Sequence, residues 1–389
     1  MGPSAQAIEL RNRPWYYDVQ TSVPSDPEAT PYIRAMASLG QSKVLACHGR
    51  CVRTGEYCGC SVWSVLTLLP SGAVQRESIP GPDVDNDAHV DLVRVGSIVY
   101  AVVTLQASRD STRVEVLSSG ATCFHPQYNF YLKHTWANQI HAYAMDVGCW
   151  AEVKGAVPGR GKFACGCVGG RLAIAGGVEE EDVVLYPEGK RCNYRKWCQD
   201  ISLLDADTGR WDIIPLVGRQ TVPAVSGEFV VEGPCHVCPA MDEGSSGGSL
   251  LLFEQTSRNR PDPQRYGAEI QRVSADGTYQ VEPVSGDLGP GVRDRYEPLK
   301  CTGVQVGSHT VWFRTGCGPY DGLARECSVT LYDTVSGEVT PLAPLPLREH
   351  VEVACMVDDT TMFVVMNGRR LRVVSVDLEL AGVNDSLTQ

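Results

Sequence analysis

The sequence predicts an all-β protein built from a repeated unit of short strands. Apolar, β-branched runs recur between clusters of Gly, Pro, Asp and Ser, which is the pattern of strands joined by turns. The 39 Gly and 24 Pro residues are spread along all 389 positions, so many turns are needed. No segment keeps the 3–4 apolar spacing of a capped helix, so we expect helix in under ~10% of residues. The predicted strands include 97–104, 171–175, 227–231, 249–253 and 361–366.

The composition argues against several classes of protein. The net charge is −12, so the surface repels phosphate backbones and no nucleic-acid partner is expected. No apolar run approaches the ~18 residues that cross a bilayer, and the segment 1–6 lacks the hydrophobic core of a signal peptide. We therefore expect no membrane partner and a cytoplasmic or other intracellular location, with a virion or organellar assembly left open. In that setting the 16 cysteines are expected to be reduced.

One turn motif recurs at intervals of roughly 60 to 76 residues, which predicts a repeat of several strands. In each copy two strand-like runs are joined by a polar turn, and four copies place an Asp shortly before a Gly. Asp can bond its own backbone in a tight turn, and Gly accepts positive φ at a hairpin tip. The five turns are centred near residues 71, 147, 207, 276 and 336.

Three groups of residues resemble the kelch-repeat β-propellers. They are the Gly176-Gly177 pair after a hydrophobic strand, the turn and strand containing Asp205, Thr208 and Trp211, and Tyr332-Asp333 followed by the Pro-rich stretch 342–348. The resemblance is most specific in 158–216 and 329–348. In that family each repeat is one four-stranded blade, with a Gly pair closing the second strand. The resemblance therefore implies a closed ring of blades.

We predict a single propeller domain over residues 15–380, with terminal tails at 1–14 and 381–389. The ring is expected to have six blades, and seven remain possible if 88–156 conceals an extra one. The last blade has room for only three strands, so residues 15–23 are expected to supply its fourth strand next to 370–379, which would remove open sheet edges. The predicted blades span 34–80, 88–156, 160–218, 222–286, 296–344 and 350–380.

The cysteines are interpreted as packing residues, and no cofactor or metal is expected. Four of them recur in the first strand of a blade, next to the central channel, where small residues are needed: Cys165, Cys238, Cys301 and Cys355. A denser group with His48 contains Cys47, Cys51, Cys58 and Cys60. Its Cys58-Gly-Cys60 spacing is shorter than zinc knuckles prefer, and Cys235-His-Val-Cys238 has no matching second pair. A Cys192–Cys198 disulfide is chemically possible, but the expected location argues against it.

No catalytic residue is predicted from the sequence. None of the eight His lies beside a Ser or Cys in a nucleophile elbow, and no His-Glu-x-x-His motif is present. The Gly-rich stretch 244–249 lacks the Lys-Ser/Thr of a phosphate loop. Kelch-like propellers commonly bind other proteins through loops on one rim, so the resemblance implies a non-catalytic interaction module or scaffold. A structural subunit of a large assembly and a funnel-site enzyme, such as a sugar isomerase or oxidase, remain alternatives.

Two insertions are the predicted binding loops for a protein partner of an otherwise monomeric chain. The insertion at 178–199 contains the acidic run 179–182 and then a basic, aromatic stretch; the insertion at 254–268 is rich in Arg. Exposed Trp, Tyr and Arg anchor interfaces, although a solvated loop whose charges neutralise each other is the simpler interpretation. If both loops leave the ring on one rim, they form one basic patch. Its predicted residues are Arg191, Tyr194, Arg195, Lys196, Trp197, Arg258, Arg260, Arg265 and Tyr266.

Overall fold

The computed structural model describes most of the predicted repeat. The described residues are 16–19, 32–49, 62–85, 88–111, 130–155, 159–161, 163–185, 191–217, 240–241, 249–257, 266–282, 300–317, 324–342, 351–366 and 370–376. None of them lies in a helix, and all regular structure in them is β-strand. The prediction of an all-β fold is therefore confirmed.

The strands form six antiparallel sheets. A first strand, β1 (Tyr16–Val19), precedes blade 1, which contains β2 (Tyr32–Gly40), β3 (Lys43–Gly49), β4 (Val62–Leu68) and β5 (Val74–Ile79). Blade 2 contains β6 (His89–Val95), β7 (Ile98–Ser111), β8 (Phe130–Ala144) and β9 (Cys149–Glu152). Blade 3 contains β10 (Ala164–Val168) and β11 (Arg171–Ala175); after the hairpin β12 (Val178–Leu185) and β13 (Arg191–Trp197), it is completed by β14 (Asp200–Asp205) and β15 (Arg210–Pro215).

The second half of the chain repeats the pattern. Blade 4 contains β16 (Ala240–Met241), β17 (Ser249–Ser257), β18 (Tyr266–Ser274) and β19 (Tyr279–Val281). Blade 5 contains β20 (Lys300–Val306), β21 (His309–Cys317), β22 (Ala324–Asp333) and β23 (Val339–Leu342). Blade 6 contains β24 (Val351–Met356), β25 (Thr361–Met366) and β26 (Arg370–Val376).

The six blades form a β-propeller closed by the start of the chain. The first strands of neighbouring blades contact one another around the ring, including β24 of blade 6 and β2 of blade 1. Strand β1 is the fourth strand of blade 6 and pairs antiparallel with β26, with Tyr16 opposite Val376 and Val19 opposite Val373. This confirms the predicted closure. The seven-blade alternative is wrong, because β6 to β9 belong to one sheet.

The hydrophobic core consists of layers between adjacent blades. One layer joins β21 and β22 of blade 5 to β25 of blade 6, and its buried members include Phe313, Met362 and Met366. Another joins blades 1 and 2 around Leu45 and Trp63. Because both faces of each blade are covered, the second strands are apolar without alternation, which is typical of strands buried on two sides.

The recurring turns have the predicted chemistry. In the turn after β14, Oδ1 of Asp205 accepts a bond of 3.0 Å from the Asp207 amide, and the Thr208 hydroxyl donates to Oδ2 at 2.7 Å. The bond from Thr208 is the main cause that lowers the pKa of Asp205. The residue at the end of the turn, Gly209, has a φ of 69°. Blades 4 and 5 repeat this arrangement with Asp276 and Asp333.

Candidate functional site

The two faces of the ring differ in how the strands are connected. Because every blade repeats the same meander, connections between first and second strands and between third and fourth strands leave one face, called here the turn face. Connections between second and third strands, and those to the next blade, leave the opposite loop face. Most turns at the turn face are short, such as 96–97, 169–170 and 307–308, and the seven-residue connection 242–248 of blade 4 is an exception. Between second and third strands, five blades have longer connections: 50–61, 112–129, 176–199, 258–265 and 318–323.

Both insertions with predicted binding residues therefore lie on the loop face. The segment 178–199 leaves from β11 and the predicted insertion 254–268 from β17, and each of these is the second strand of its blade. The bounds 254–268 are wrong, because 254–257 belong to β17 and 266–268 to β18, which leaves 258–265 as the connection. One basic patch formed by both segments stays a prediction. Arg258, Arg260 and Arg265 lie outside the described residues, and Tyr266 is the first residue of β18.

The prediction that 178–199 is an irregular loop is wrong. Its residues form the β12–β13 hairpin, which leaves blade 3 and pairs with the loop-face half of β8 in blade 2, extending that sheet to β13-β12-β8-β7-β6. The reason is that β7 and β8 are longer than the other strands of their blade. Without β12, the extended part of β8 would have an unpaired edge. The predicted residues Arg191, Tyr194, Arg195, Lys196 and Trp197 belong to β13.

Acidic residues of β12 lie opposite basic residues of β13 in this extension. Glu181 of β12 lies opposite His134 of β8 on one side and opposite Arg195 of β13 on the other. In the same register Glu180 lies opposite Lys196. Opposite charges in cross-strand pairs stabilise a sheet by about 0.2–1 kcal/mol each. Glu181 is only 3% exposed, so this register supports the interpretation that the acidic and basic halves neutralise each other.

A buried arginine occupies the point where the hairpin leaves blade 3. The Gly176-Gly177 pair ends β11 with positive φ values of 62° and 95°, as the sequence predicted for the end of a second strand. The Arg160 guanidinium donates to the Gly176 carbonyl oxygen at 3.0 Å and to Oδ1 of Asp200 at 2.7 Å. Its side chain is 4% exposed, so the ion pair fixes the divergence of β11 and β12 and has a structural role.

Polar groups gather at the loop-face end of the channel. The His89 ring lies 3.2 Å from Oδ1 of Asp91, and this carboxylate raises the pKa of His89, while the positive charge of Arg34 opposes the shift. The thiol of Cys165 also donates to Asp91, and burial is the main cause that raises its pKa. A His–carboxylate pair can accept and release protons near neutral pH, whereas the buried, protonated Cys165 is unsuited to nucleophilic attack.

A side cavity of about 470 Å³ lies between blades 1 and 2. It is separate from the channel and from the two insertions, and no sequence signal indicated it. Its lining comes from the linker that follows β5 and from β8 and β9: Pro80, Gly81, Pro82, Asp83, His141, Gly148, Cys149, Trp150, Ala151 and Glu152. Burial is the main cause that lowers the pKa of His141.

Three cysteines of the described residues, Cys47, Cys165 and Cys355, are buried as packing residues, whereas Cys149 is exposed. Cys165 and Cys355 are buried in first strands as predicted, and burial raises the pKa of Cys355 to about 12. Cys301 lies in the first strand β20, while Cys238 falls outside the described residues, as do Cys51, Cys58, Cys60 and Cys235. Cys198 is not in a disulfide. Within the described part of the chain, no group of three or more His, Cys, Asp or Glu side chains could hold a metal ion.

Of the known proteins compared with this chain, only solved structures are similar to it. No protein-family model matches the sequence, and no curated protein matches it. The chain is similar to YjhT, with 10% identity and a TM-score of 0.48 over 89% of this chain and 94% of that one. It is also similar to a Bacteroides thetaiotaomicron protein of unknown function, with 10% identity, a TM-score of 0.47, and coverage of 93% and 76%.

A third similar structure is the Trypanosoma rangeli sialidase in complex with the inhibitor DANA. It shares 12% identity with a TM-score of 0.46 over 93% of this chain and 59% of the sialidase. These similarities concern the fold alone, and the kelch resemblance stays a prediction.

In the part of the chain that the structure describes, no helix has the length and apolar character needed to span a membrane.

Proposed function

We propose that this protein is a non-catalytic binding module that holds a protein partner on the loop face of the ring. The difference between the two faces is the observation behind the proposal. Long connections on a rigid scaffold supply contact area that can vary without disturbing the core. Five of the six blades have such connections between second and third strands at the loop face, whereas on the opposite face blade 4 has one, at 242–248.

Two outer turns of the turn face make contacts between blades. A Cβ built on Gly209 would lie 2.6 Å from the Lys154 carbonyl oxygen, and one on Gly277 would lie 2.4 Å from the Pro215 carbonyl oxygen. Real Cβ atoms do not approach so closely, so the backbones of adjacent blades touch at these turns. These two turns hold neighbouring blades together and have little freedom to adapt to a partner.

Charge favours a partner with an acidic contact segment. Strand β13 contains Arg191, Arg195 and Lys196 and no acidic residue, and among the described residues it is the outermost strand of its sheet. In the strand register, Arg195 lies opposite Glu181 and Lys196 opposite Glu180. Complementary charge at the rim mainly accelerates encounter and selects partners.

The test compares capture by loop-face and turn-face variants. Ser257 of β17 lies opposite Tyr266 of β18, so replacing 258–265 with Asn-Gly should close this hairpin with a two-residue turn and keep the blade. The control variant Val335→Thr changes a turn-face side chain that is 75% exposed. Capture from cell extract with mass spectrometry should lose specific partners with the loop-face variant only. Loss with Val335→Thr instead, at unchanged melting temperature, would contradict the proposal.

A further inference from the structure

The side cavity is a departure from the packing that the other blades repeat. In blades 3 and 4 the Gly that ends the turn between third and fourth strands touches the chain leaving the outer strand of the preceding blade, at Lys154 and Pro215. The equivalent residue of blade 2 is Gly148. A Cβ built on it would meet only the Tyr143 hydroxyl, at 3.7 Å. The chain leaving blade 1 does not contact Gly148, and the cavity lies between them.

Contacts with aromatic rings hold the walls of this cavity in place. The Trp63 indole donates to the Pro82 carbonyl oxygen at 2.9 Å, and a Cβ on Gly81 would lie 2.2 Å from the Trp63 ring, so the linker is held flat against that ring. On the other side, the Trp150 ring packs on Trp63 and Tyr143 with centroid distances of 4.5 and 5.1 Å. The cavity is open to solvent, because most of its lining residues are exposed, and its volume is in the range of small-ligand sites.

The charge of the lining is one-sided. The carboxylates of Asp83 and Glu152 belong to the lining, which contains no Lys or Arg, and the carboxylate of Glu77 acts on the nearby Tyr143 hydroxyl. His141 stays neutral near pH 7, because its burial disfavours the charged form. Its Nε2 atom is buried and has no hydrogen-bond partner. The lining therefore combines a partly exposed aromatic ring with negative charge.

We propose that the cavity binds an organic cation, a guanidinium or ammonium group on a short aliphatic arm. The arm would lie along Trp150 and the prolines of the linker, and the Asp83 and Glu152 carboxylates would balance the charge. Aromatic rings attract such cations by about 0.5–2 kcal/mol, and more when water is excluded. This site is independent of the loop-face function proposed above.

The test uses two probes of equal shape and different charge, butylguanidinium and neutral butylurea. Saturation-transfer NMR on the full chain should give a dissociation constant about tenfold lower for the cation than for the neutral probe. The dissociation constant of the cation should increase with salt concentration, because partly exposed charges are screened. Glu152→Gln should weaken cation binding about three- to tenfold. Glu338→Gln removes an exposed carboxylate in blade 5 and should leave binding unchanged. Ala151→Trp should fill the cavity and abolish binding without loss of the folded state.

The source of the cation follows from a second pair of probes, acetyl-Gly-Arg-Gly-amide and its citrulline counterpart. Tighter binding of the Arg peptide than of butylguanidinium would assign the group to a protein side chain, and its exclusion would assign it to a free small molecule. Equal binding of the charged and neutral probes would overturn the proposal. So would equal effects of Glu152→Gln and Glu338→Gln, or binding retained by Ala151→Trp. None of these results bears on partner capture at the loop face.

Discussion

The ion pair between Arg272 and Glu282 is expected to hold blades 4 and 5 together. Arg272 Nε donates to Oε1 of Glu282 at 2.7 Å, and the side chains are 18% and 13% exposed. A second nitrogen of Arg272 donates to the Ser249 hydroxyl at 2.8 Å, and the Tyr332 hydroxyl of blade 5 donates to Oε2 of Glu282 at 3.2 Å. The substitution Arg272→Met would leave the Glu282 carboxylate with this tyrosine and little water.

The size of the effect follows from burial. Removing one partner of a fully buried pair costs about 3–5 kcal/mol, and the residual solvent contact here reduces this to about 2–3 kcal/mol. Glu282→Met should cost somewhat less, because the guanidinium keeps its bonds to the Ser249 hydroxyl and the Thr334 carbonyl oxygen. The double variant removes both charges and replaces them with apolar groups, which is often close to neutral. Its cost should therefore fall below the sum of the single costs by at least about 1.5 kcal/mol.

Urea unfolding of the wild type, both single variants and the double variant measures this coupling directly. The cycle Arg171→Met and Asp212→Met is the control, because that pair also has a distance of 2.7 Å but its side chains are 32% and 59% exposed. Its coupling should be below about 1 kcal/mol. Additive costs at Arg272 and Glu282, within about 0.5 kcal/mol, would refute the reasoning.

Four further predictions follow from described features. Deleting residues 1–24 removes β1 and exposes the edge of β26, so the melting temperature should fall and aggregation should appear in light scattering. Burial, and secondarily Glu282, raises the pKa of Tyr332 to about 12. The unfolded chain loses the Tyr332 proton near pH ~10 and the folded chain near pH ~12, so the free energy of unfolding should fall by about 2–3 kcal/mol over this range. The fall should be smaller in Tyr332→Phe. Gly277→Ala meets a backbone oxygen 2.4 Å away at a φ of 83° and should cost about 2–4 kcal/mol, whereas Gly96→Ala meets open space and should cost only about 1 kcal/mol. Thiol titration of the denatured chain without reductant should recover all 16 cysteines.

Each of these has a result that would contradict it. A truncated chain that stays monomeric and melts like the full chain would show that β1 does not close the ring. Identical alkaline unfolding of the wild type and Tyr332→Phe would remove the linkage to this tyrosine. Equal costs at the two glycines would show that the blade contact does not matter, and a deficit of two or more thiols would reveal a disulfide.

The repeat could be predicted because its signals are local. Asp205 and Gly209 determine a hairpin through bonds within a few residues, and the apolar run 361–366 indicates a buried strand without reference to the rest of the fold. Closure by β1 followed from counting strands in the last blade. These inferences need only the identity of nearby residues and the rule that sheet edges are covered.

The hairpin and the side cavity depend on relations between blades. The sequence of the charged segment 178–199 predicts a loop, because β8, the strand with which it pairs, belongs to the preceding blade. In the same way, Gly148 has the same local turn as Gly209, and only the distance to the preceding blade makes one the wall of a cavity and the other a contact. Such distances have no signature in a single sequence.

The pairing of β1 with β26 also determines when the ring can be completed during synthesis. Strand β1 is made before any blade, yet its only partner among the described strands ends at Val376. It must therefore leave the ribosome and wait, unpaired, while all the intervening blades form. A nascent chain that stalls or is cut short before β26 can assemble most of its blades but cannot close. Its open edge distinguishes it from the finished protein, and this gives chaperones and proteases a physical means to recognise incomplete copies.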